Sequence, residues 1–169
     1  MRWWSGPARA RPGTLGSVPR KTKKARRLVA DGHVYLWSIR HSHRVLDDGR
    51  SADCRQTLTL HPQPPGTGGS LRVVFADGPG RYVPGGAPMG SGDVGQVRGA
   101  SLNLHRPGAV RALLDAALAI GWRPGERRAV ELDGWPLLDA ADAARAGRGE
   151  PRPDGGRPEG GRRHVPDGA

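Results

Sequence analysis

The fold is decided by residues 26–41, whose sequence is RRLVADGHVYLWSIRH. Asp31-Gly32 supplies two residues that accept a positive φ angle, as the two-residue type I′ turn of a β-hairpin requires. The runs on either side are rich in β-branched and aromatic residues, which favour strands. The sequence therefore predicts an antiparallel hairpin. Its second strand is apolar on both faces from Val34 to Ile39, which indicates a place inside a sheet with a helix over one face.

Further strands are indicated by shorter apolar runs along the chain. In segment 54–61, Cys54, Gln56, Leu58 and Leu60 lie on one face and polar residues on the other, which is typical of a half-buried strand. The other predicted strands are 71–76 and 128–132, with a weak extension of the sheet at 81–83. Residues 84–99 are rich in glycine and are predicted to form a long loop.

One helix is well defined in the sequence. Pro107 suits its first turn, and the apolar residues that follow recur at helical spacing. They are Val110, Leu113, Leu114, Ala117 and Leu118. Gly121 is expected to end the helix in the left-handed conformation. The sequence therefore predicts an α+β fold, with an antiparallel β-sheet of four to five strands and one main covering helix.

The composition changes at both ends of the chain. Residues 1–24 and 143–169 are rich in glycine, proline and charged residues, and they show no apolar periodicity. Such segments bury too little apolar surface to offset their ordering entropy, so we expect disordered termini. A single α+β domain is expected at 25–142, between a basic N-terminal tail and a C-terminal tail rich in Gly, Pro and Arg.

The formal net charge of +11 is concentrated ahead of the domain. Residues 1–27 carry nine Lys or Arg and no acidic residue, whereas residues 28–142 carry twelve Arg and twelve Asp or Glu. A nucleic-acid-binding domain usually carries its excess of Lys and Arg on the domain itself, so the balanced middle argues against one there. The basic cluster of the tail could bind phosphates without sequence preference. Its residues are Arg20, Lys21, Lys23, Lys24, Arg26 and Arg27.

Cysteine usage and the absence of long apolar runs indicate the compartment. Cys54 is the single cysteine, which excludes an internal disulfide and a four-cysteine zinc site. The N-terminus lacks the apolar segment of a signal peptide, and no apolar run is long enough to span a membrane. The sequence therefore predicts a cytoplasmic protein without a membrane span.

One glycine-rich segment matches a cofactor-binding pattern. Gly90-Ser91-Gly92-Asp93-Val94-Gly95 has the spacing G-x-G-x-x-G. That pattern binds the pyrophosphate of a dinucleotide when it leads from a strand into a helix N-terminus, and here no helix is predicted before Pro107. A plain loop is the better interpretation, and no cofactor is predicted.

His41, His43 and Asp47 are the residues that most resemble metal ligands. Two histidines at positions i and i+2 of a strand point to the same side, and a carboxylate could join them. The charges of Arg40 and Arg44 would repel a cation, which favours a solvated strand end. We therefore assign no metal ligand set and no catalytic residue. A small metal-dependent enzyme that uses these three residues is kept as an alternative.

Aromatic residues close to arginines are candidates for a binding surface. Tyr35, Trp37 and Trp122 belong to residue types that usually fill the core between a sheet and a helix. If they are exposed beside Arg40 or Arg123, they become contact residues for a partner.

Three short motifs resemble those of a family of small bacterial proteins that share a basic N-terminal segment, a β-hairpin and a helix. The motifs are Asp31-Gly32, Tyr35-Leu36-Trp37 and Gly121-Trp122-Arg123-Pro124. The resemblance covers about residues 23–135, departs from the family pattern in the loop 84–99, and implies no particular activity. It begins near Lys21, which favours a translation start downstream of Met1.

These observations favour a non-enzymatic protein-interaction module. The charge of the domain is balanced, and no acid, base and nucleophile converge in the sequence. A partner protein would then bind an exposed sheet face or edge. The alternative is a nucleic-acid-associated protein that uses the basic N-terminal tail. A sheet-based form of that alternative requires Arg40, Arg55, Arg72 and Arg81 on one face.

Overall fold

The computed structural model describes residues 25–83 and 91–148. Three parts of the chain lie outside the described residues: the predicted tail at 1–24, residues 84–90 of the predicted loop, and residues 149–169. The strands are β1 (Arg26–Ala30), β2 (His33–Val45), β3 (Ser51–Gln63), β4 (Leu71–Ala76), β5 (Arg81–Tyr82), β6 (Asp93–Gln96), β7 (Ser101–Asn103) and β8 (Val130–Asp133). The helices are α1 (Pro107–Ala119) and α2 (Gly134–Gly147).

The predicted hairpin is confirmed. Asp31 and Gly32 have φ angles of 49° and 79°, and Ala30 pairs with His33 across the turn. β2 and β3 both extend beyond their predicted ends because they pair with each other over almost their whole length, with a register shift between Ser42 and Arg44. His41 pairs with Gln56, and His43 lies at the register shift inside β2. The prediction that the two histidines lie at a solvated strand end is therefore wrong, because the strand continues to Val45.

The main sheet has the order β1-β2-β3-β4-β8. All neighbours are antiparallel except β4 and β8, which are parallel and are joined through the second sheet and α1. The α+β class and a sheet dominated by antiparallel pairs are thus confirmed.

The core lies between one face of this sheet and the two helices. Trp37, Leu58, Leu60 and Phe75 are at most 1% exposed on the sheet side. The helices contribute fully buried leucines from both α1 and α2 to the same cluster. Burying such side chains is the main favourable term in folding, so this interface holds the domain together.

The helix α2 is an addition to the predicted architecture. The sequence predicted no helix after the strand at 128–132, but the Asp133 carboxylate accepts a hydrogen bond from the backbone N–H of Trp135 at 3.1 Å and caps the helix. The indole N–H of Trp135 donates to the Ala76 carbonyl at 3.0 Å, which fixes α2 on β4. The helix continues to Gly147, beyond the expected domain end at 142.

The prediction of a loop over 84–99 is wrong for its described part. Residues Asp93–Gln96 form β6, which pairs with β5 and β7 in a three-stranded second sheet. Val94 is fully buried in the common core, and this burial stabilises the small sheet. Gly95 is required there, because a Cβ atom would overlap the hydroxyl group of Tyr82. The weak strand at 81–83 therefore belongs to this sheet rather than to the main one.

Candidate functional site

The outer side of the main sheet forms a continuous, mostly polar surface across four strands. On β1–β4, alternate residues point away from the core, and we call these positions the open face. They are Arg27, Val29, Val34, Leu36, Ser38, Arg40, Ser42, Arg55, Thr57, Thr59, His61, Gln63, Arg72, Val74 and Ala76. Every one of them is exposed or half-buried, so the described residues place no covering layer over this face.

Four arginines share the open face. Arg27, Arg40 and Arg55 form no ion pair with any described residue, while Arg72 lies 3.3 Å from Glu131 in a solvent-exposed pair. Arg40 faces Thr57 and Arg55 faces Ser42, so Arg40 and Arg55 are diagonal neighbours on adjacent strands. Diagonal neighbours lie about 7–8 Å apart, which brings two guanidinium groups within reach of one anionic ligand.

Serine and threonine side chains lie between these arginines. Ser38 faces Thr59, and Thr59 faces Arg72, so that a row of hydrogen-bond donors crosses three strands. Thr57 lies beside Arg40 in the next row. The strands β1–β4 contain a single carboxylate, Asp53, which lies at the register shift two residues before Arg55 and pairs with Arg44 at 2.8 Å. Apart from this ion pair, the face is rich in donors and its charged groups are arginines.

Carboxylates mark the border of the open face at β8. Glu131 and Asp133 point to the same side as Arg72 and Val74, their neighbours on β4. Asp133 is occupied as the cap of α2, and Glu131 pairs with Arg72. The positive region thus covers β1 to β3 and ends at β4.

The aromatic residues considered from the sequence belong to the core. Tyr35, Trp37 and Trp122 are 2%, 1% and 6% exposed, and the rings of Tyr35 and Trp122 lie 6.3 Å apart. Among the candidate binding residues, Arg40 is on the open face, whereas Arg123 lies in the loop after α1 and donates to the Trp122 carbonyl. The open-face positions therefore include arginine and His61 but no Phe, Tyr or Trp side chain.

The sheet-based hypothesis required four particular arginines on one face, and three of them are there. Arg40, Arg55 and Arg72 lie on the open face. Arg81 belongs to the second sheet, where its guanidinium group stacks on the ring of Trp135 at 5.2 Å. Arg27, which we had counted with the tail, takes the fourth place.

The basic cluster of the tail is divided by the start of β1. Arg20, Lys21, Lys23 and Lys24 lie outside the described residues. Arg26 points to the core side, where its guanidinium group lies 5.2 Å from the Trp37 ring and donates to the His105 carbonyl at 2.7 Å. Arg27 points to the open face, so the polypeptide leads directly from the basic tail into this surface.

The candidate metal ligands are not brought together as a set. Nδ1 of His41 lies 3.2 Å from Oε1 of Gln56, and the rings of His41 and His43 are 5.3 Å apart. Asp47 lies in the loop after β2. Within the described ranges, no group of three or more His, Cys, Asp or Glu side chains is arranged for a metal ion. Cys54 is buried in the core, and burial first of all raises the pKa of its thiol.

One contact between functional groups was missed in the sequence. Ser91 Oγ lies 3.1 Å from Nε2 of His105, although fourteen residues separate them. A serine nucleophile needs such a base. It also needs a third group that orients the base, and hydrogen-bond donors around the reacting atom. The carboxylate of Asp93 accepts from Asn103 at 2.6 Å, and Ser91 is exposed. We interpret the contact as a link between the second sheet and the start of α1.

No helix among the described residues is long and apolar enough to cross a membrane. Comparison of the chain with protein-family models, with curated proteins and with solved structures gave no match.

Proposed function

We propose that the protein binds nucleic acid through the open face, by contacts to the phosphate backbone. The observation that carries this proposal is the grouping of Arg27, Arg40, Arg55 and Arg72 on one face of β1–β4, whose single carboxylate, Asp53, is already paired with Arg44. Guanidinium groups bind phosphate oxygens in a bidentate geometry, and serine and threonine hydroxyls are common donors to the same oxygens.

The balanced charge of residues 28–142 is compatible with this proposal because the charges are segregated. Several carboxylates are already held by arginines: Asp31 and Asp115 both bind Arg111 on α1, and Asp53 binds Arg44 at the register shift of β2 and β3. The hydrogen bonds that Arg111 donates to Asp115, and then to Asp31, raise the pKa of its guanidinium group, as expected for a satisfied ion pair. Counting charges along the chain therefore hides a positive surface.

The side chains of the open face also indicate which nucleic acid binds best. Proteins that hold single strands stack the bases on aromatic rings, and the aromatic residues of β2 point into the core. Binding by phosphates alone favours a duplex, which carries one charge per about 1.7 Å of its axis. We therefore expect duplex binding without sequence preference. Residues 1–27, which precede or begin β1, contribute nine Lys and Arg residues to the chain.

The test is fluorescence anisotropy of the full chain with a labelled duplex of about 20 base pairs at fixed salt. The face variant carries Arg27→Gln, Arg40→Gln and Arg55→Gln. The control variant carries Arg98→Gln, Arg127→Gln and Arg128→Gln, which removes the same charge from exposed loop positions outside the open face. We expect the face variant to bind at least about tenfold more weakly and the control to stay close to the unmodified protein. Equal losses in both variants would overturn the proposal, because binding would then follow net charge and not position. Unchanged binding by both variants would overturn it in favour of the tail.

A protein partner is the second candidate, because the open face also has an apolar strip. Val29 is 56% exposed, and Leu36 lies half-buried between Arg27 and His61. Arginine around apolar side chains is typical of protein interfaces. Leu36→Lys separates the two candidates: the added charge strengthens duplex binding, whereas it weakens an apolar contact with a protein.

A further inference from the structure

We propose that two copies of this chain pair through β1, antiparallel and around a twofold axis at Leu28, so that their main sheets become one continuous sheet. The edge of β1 has free backbone groups in the described structure. In a hairpin with a two-residue turn, Ala30 and His33 exchange hydrogen bonds, and the bonded positions then alternate along the strand. The N–H and C=O groups of Arg27 and Val29 therefore point outward, and no other backbone hydrogen bond of the described residues reaches them.

The two edges of the main sheet differ in their protection. The β8 edge is four residues long, carries Glu131 and Asp133, and passes directly into α2. β1 pairs with β2 in one unbroken register from Arg26 to Ala30, without a bulge or a proline. Short edges, charges, bulges and prolines are the usual means of preventing strand addition. Both edges carry two charged residues, but β1 is one residue longer and does not pass directly into a helix. Its Val29 side chain is 56% exposed.

The pairing is self-complementary in one register. With Leu28 opposite Leu28 of the second copy, Arg27 of each chain lies opposite Val29 of the other, and these two pairs exchange four backbone hydrogen bonds. The aliphatic part of each Arg27 side chain then covers an exposed Val29. A register shifted by one residue would leave the outward groups unpaired. A shift of two would place Arg27 opposite Arg27 or Val29 opposite Val29 and pair three residues of β1, whereas the register centred on Leu28 pairs all five.

Electrostatic repulsion limits the strength of the dimer without preventing it. The strands are antiparallel, so the two basic N-terminal segments leave the seam at opposite ends. The two Arg27 residues are diagonal neighbours about 8 Å apart. Their repulsion is screened by salt, so we expect dimerisation to strengthen as the salt concentration rises. In addition, and resting on the proposed function, the dimer would join two open faces across the seam.

The test is sedimentation equilibrium of the full chain, freed of nucleic acid, over a concentration range centred on the order of 100 µM, as expected for a small interface. Val29→Glu places a carboxylate opposite Arg27 of the second copy and should tighten the dimer by about fivefold. Val29→Lys places two cations opposite each other and should weaken it by a similar factor. Val45→Glu and Val45→Lys are matched controls at a position that is 64% exposed at the far end of β2, and they should change nothing.

Opposite signs for the two changes at Val29, with no effect at Val45, would support the pairing. A chain that is monomeric at every concentration, or changes at Val29 that act in the same direction, would overturn it. Both variants lose the same valine, so a general folding defect cannot produce opposite signs. Because nucleic acid is absent, failure of this test leaves the duplex-binding test unaffected, and the reverse also holds.

Discussion

The salt dependence of duplex binding is the most quantitative consequence of the open face. Each phosphate that a cationic side chain neutralises contributes about −0.9 to the slope of log K against log salt concentration. Arg27, Arg40 and Arg55 have no ion pair with a described residue, so all three are available for phosphate. Changing them to Gln should therefore reduce the magnitude of the slope by about 2.7.

The size of this effect makes it easy to measure. Between about 50 and 200 mM salt, a slope difference of about 2.7 corresponds to a difference of about fortyfold in the loss of affinity. The unmodified protein should therefore lose about forty times more affinity over this range than the face variant does. The assay is anisotropy titration of the full chain at four or more salt concentrations, with the Arg98, Arg127 and Arg128 variant as the control.

The control is expected to keep the slope of the unmodified protein, because its three arginines lie in loops away from the open face. Equal slopes for the face variant and the unmodified protein would refute the reasoning, since the face arginines would then neutralise no phosphate. A reduced slope in the control would also count against it, because the loss would follow net charge and not position.

Two further predictions concern the stability of the domain. Gly108 lies in the first turn of α1, and an added Cβ would have no atom within 4 Å, so Gly108→Ala should stabilise the protein by about 0.5–1 kcal/mol. Gly69→Ala should destabilise it strongly, because the added Cβ would overlap the backbone carbonyl of Arg128. Thermal melts of the two variants test both predictions. Cys54 should react with iodoacetamide at pH 8 at least about 100-fold faster in denaturant than in the native state, because it is buried and its thiol pKa is raised. Rapid alkylation of Cys54 in the native protein would contradict this, because it would show that the N-terminal part of β3 opens to solvent.

Local patterns were enough to predict the hairpin, the half-buried strand β3 and the helix α1. In each case the signal is a turn or an apolar period within one segment, such as Asp31-Gly32 or the stripe from Val110 to Leu118. The helix α2 was missed because Asp133 can end a strand and cap a helix with the same carboxylate. Tertiary packing of Trp135 on β4 decides between these outcomes, and that contact is not visible in a local pattern.

The open face could be predicted only in part. The alternation of β3 already placed Arg55, Thr57 and His61 on its polar side. Bringing Arg27, Arg40 and Arg72 beside them depends on the order and register of four strands, which the sequence alone does not define. For the same reason, the balanced charge of residues 28–142 argued against a basic surface, although the carboxylates lie elsewhere in space.

The most direct test of the central claim is to observe the arginine side chains of the full chain by NMR while a duplex is added. The Nε–H signals of Arg40 and Arg55 should shift in proportion to bound duplex, and those of Arg111 and Arg127, outside the open face, should stay in place. If shifts are confined to residues 1–24 while Arg40 and Arg55 remain unchanged, the sheet is not the binding surface and the account is contradicted.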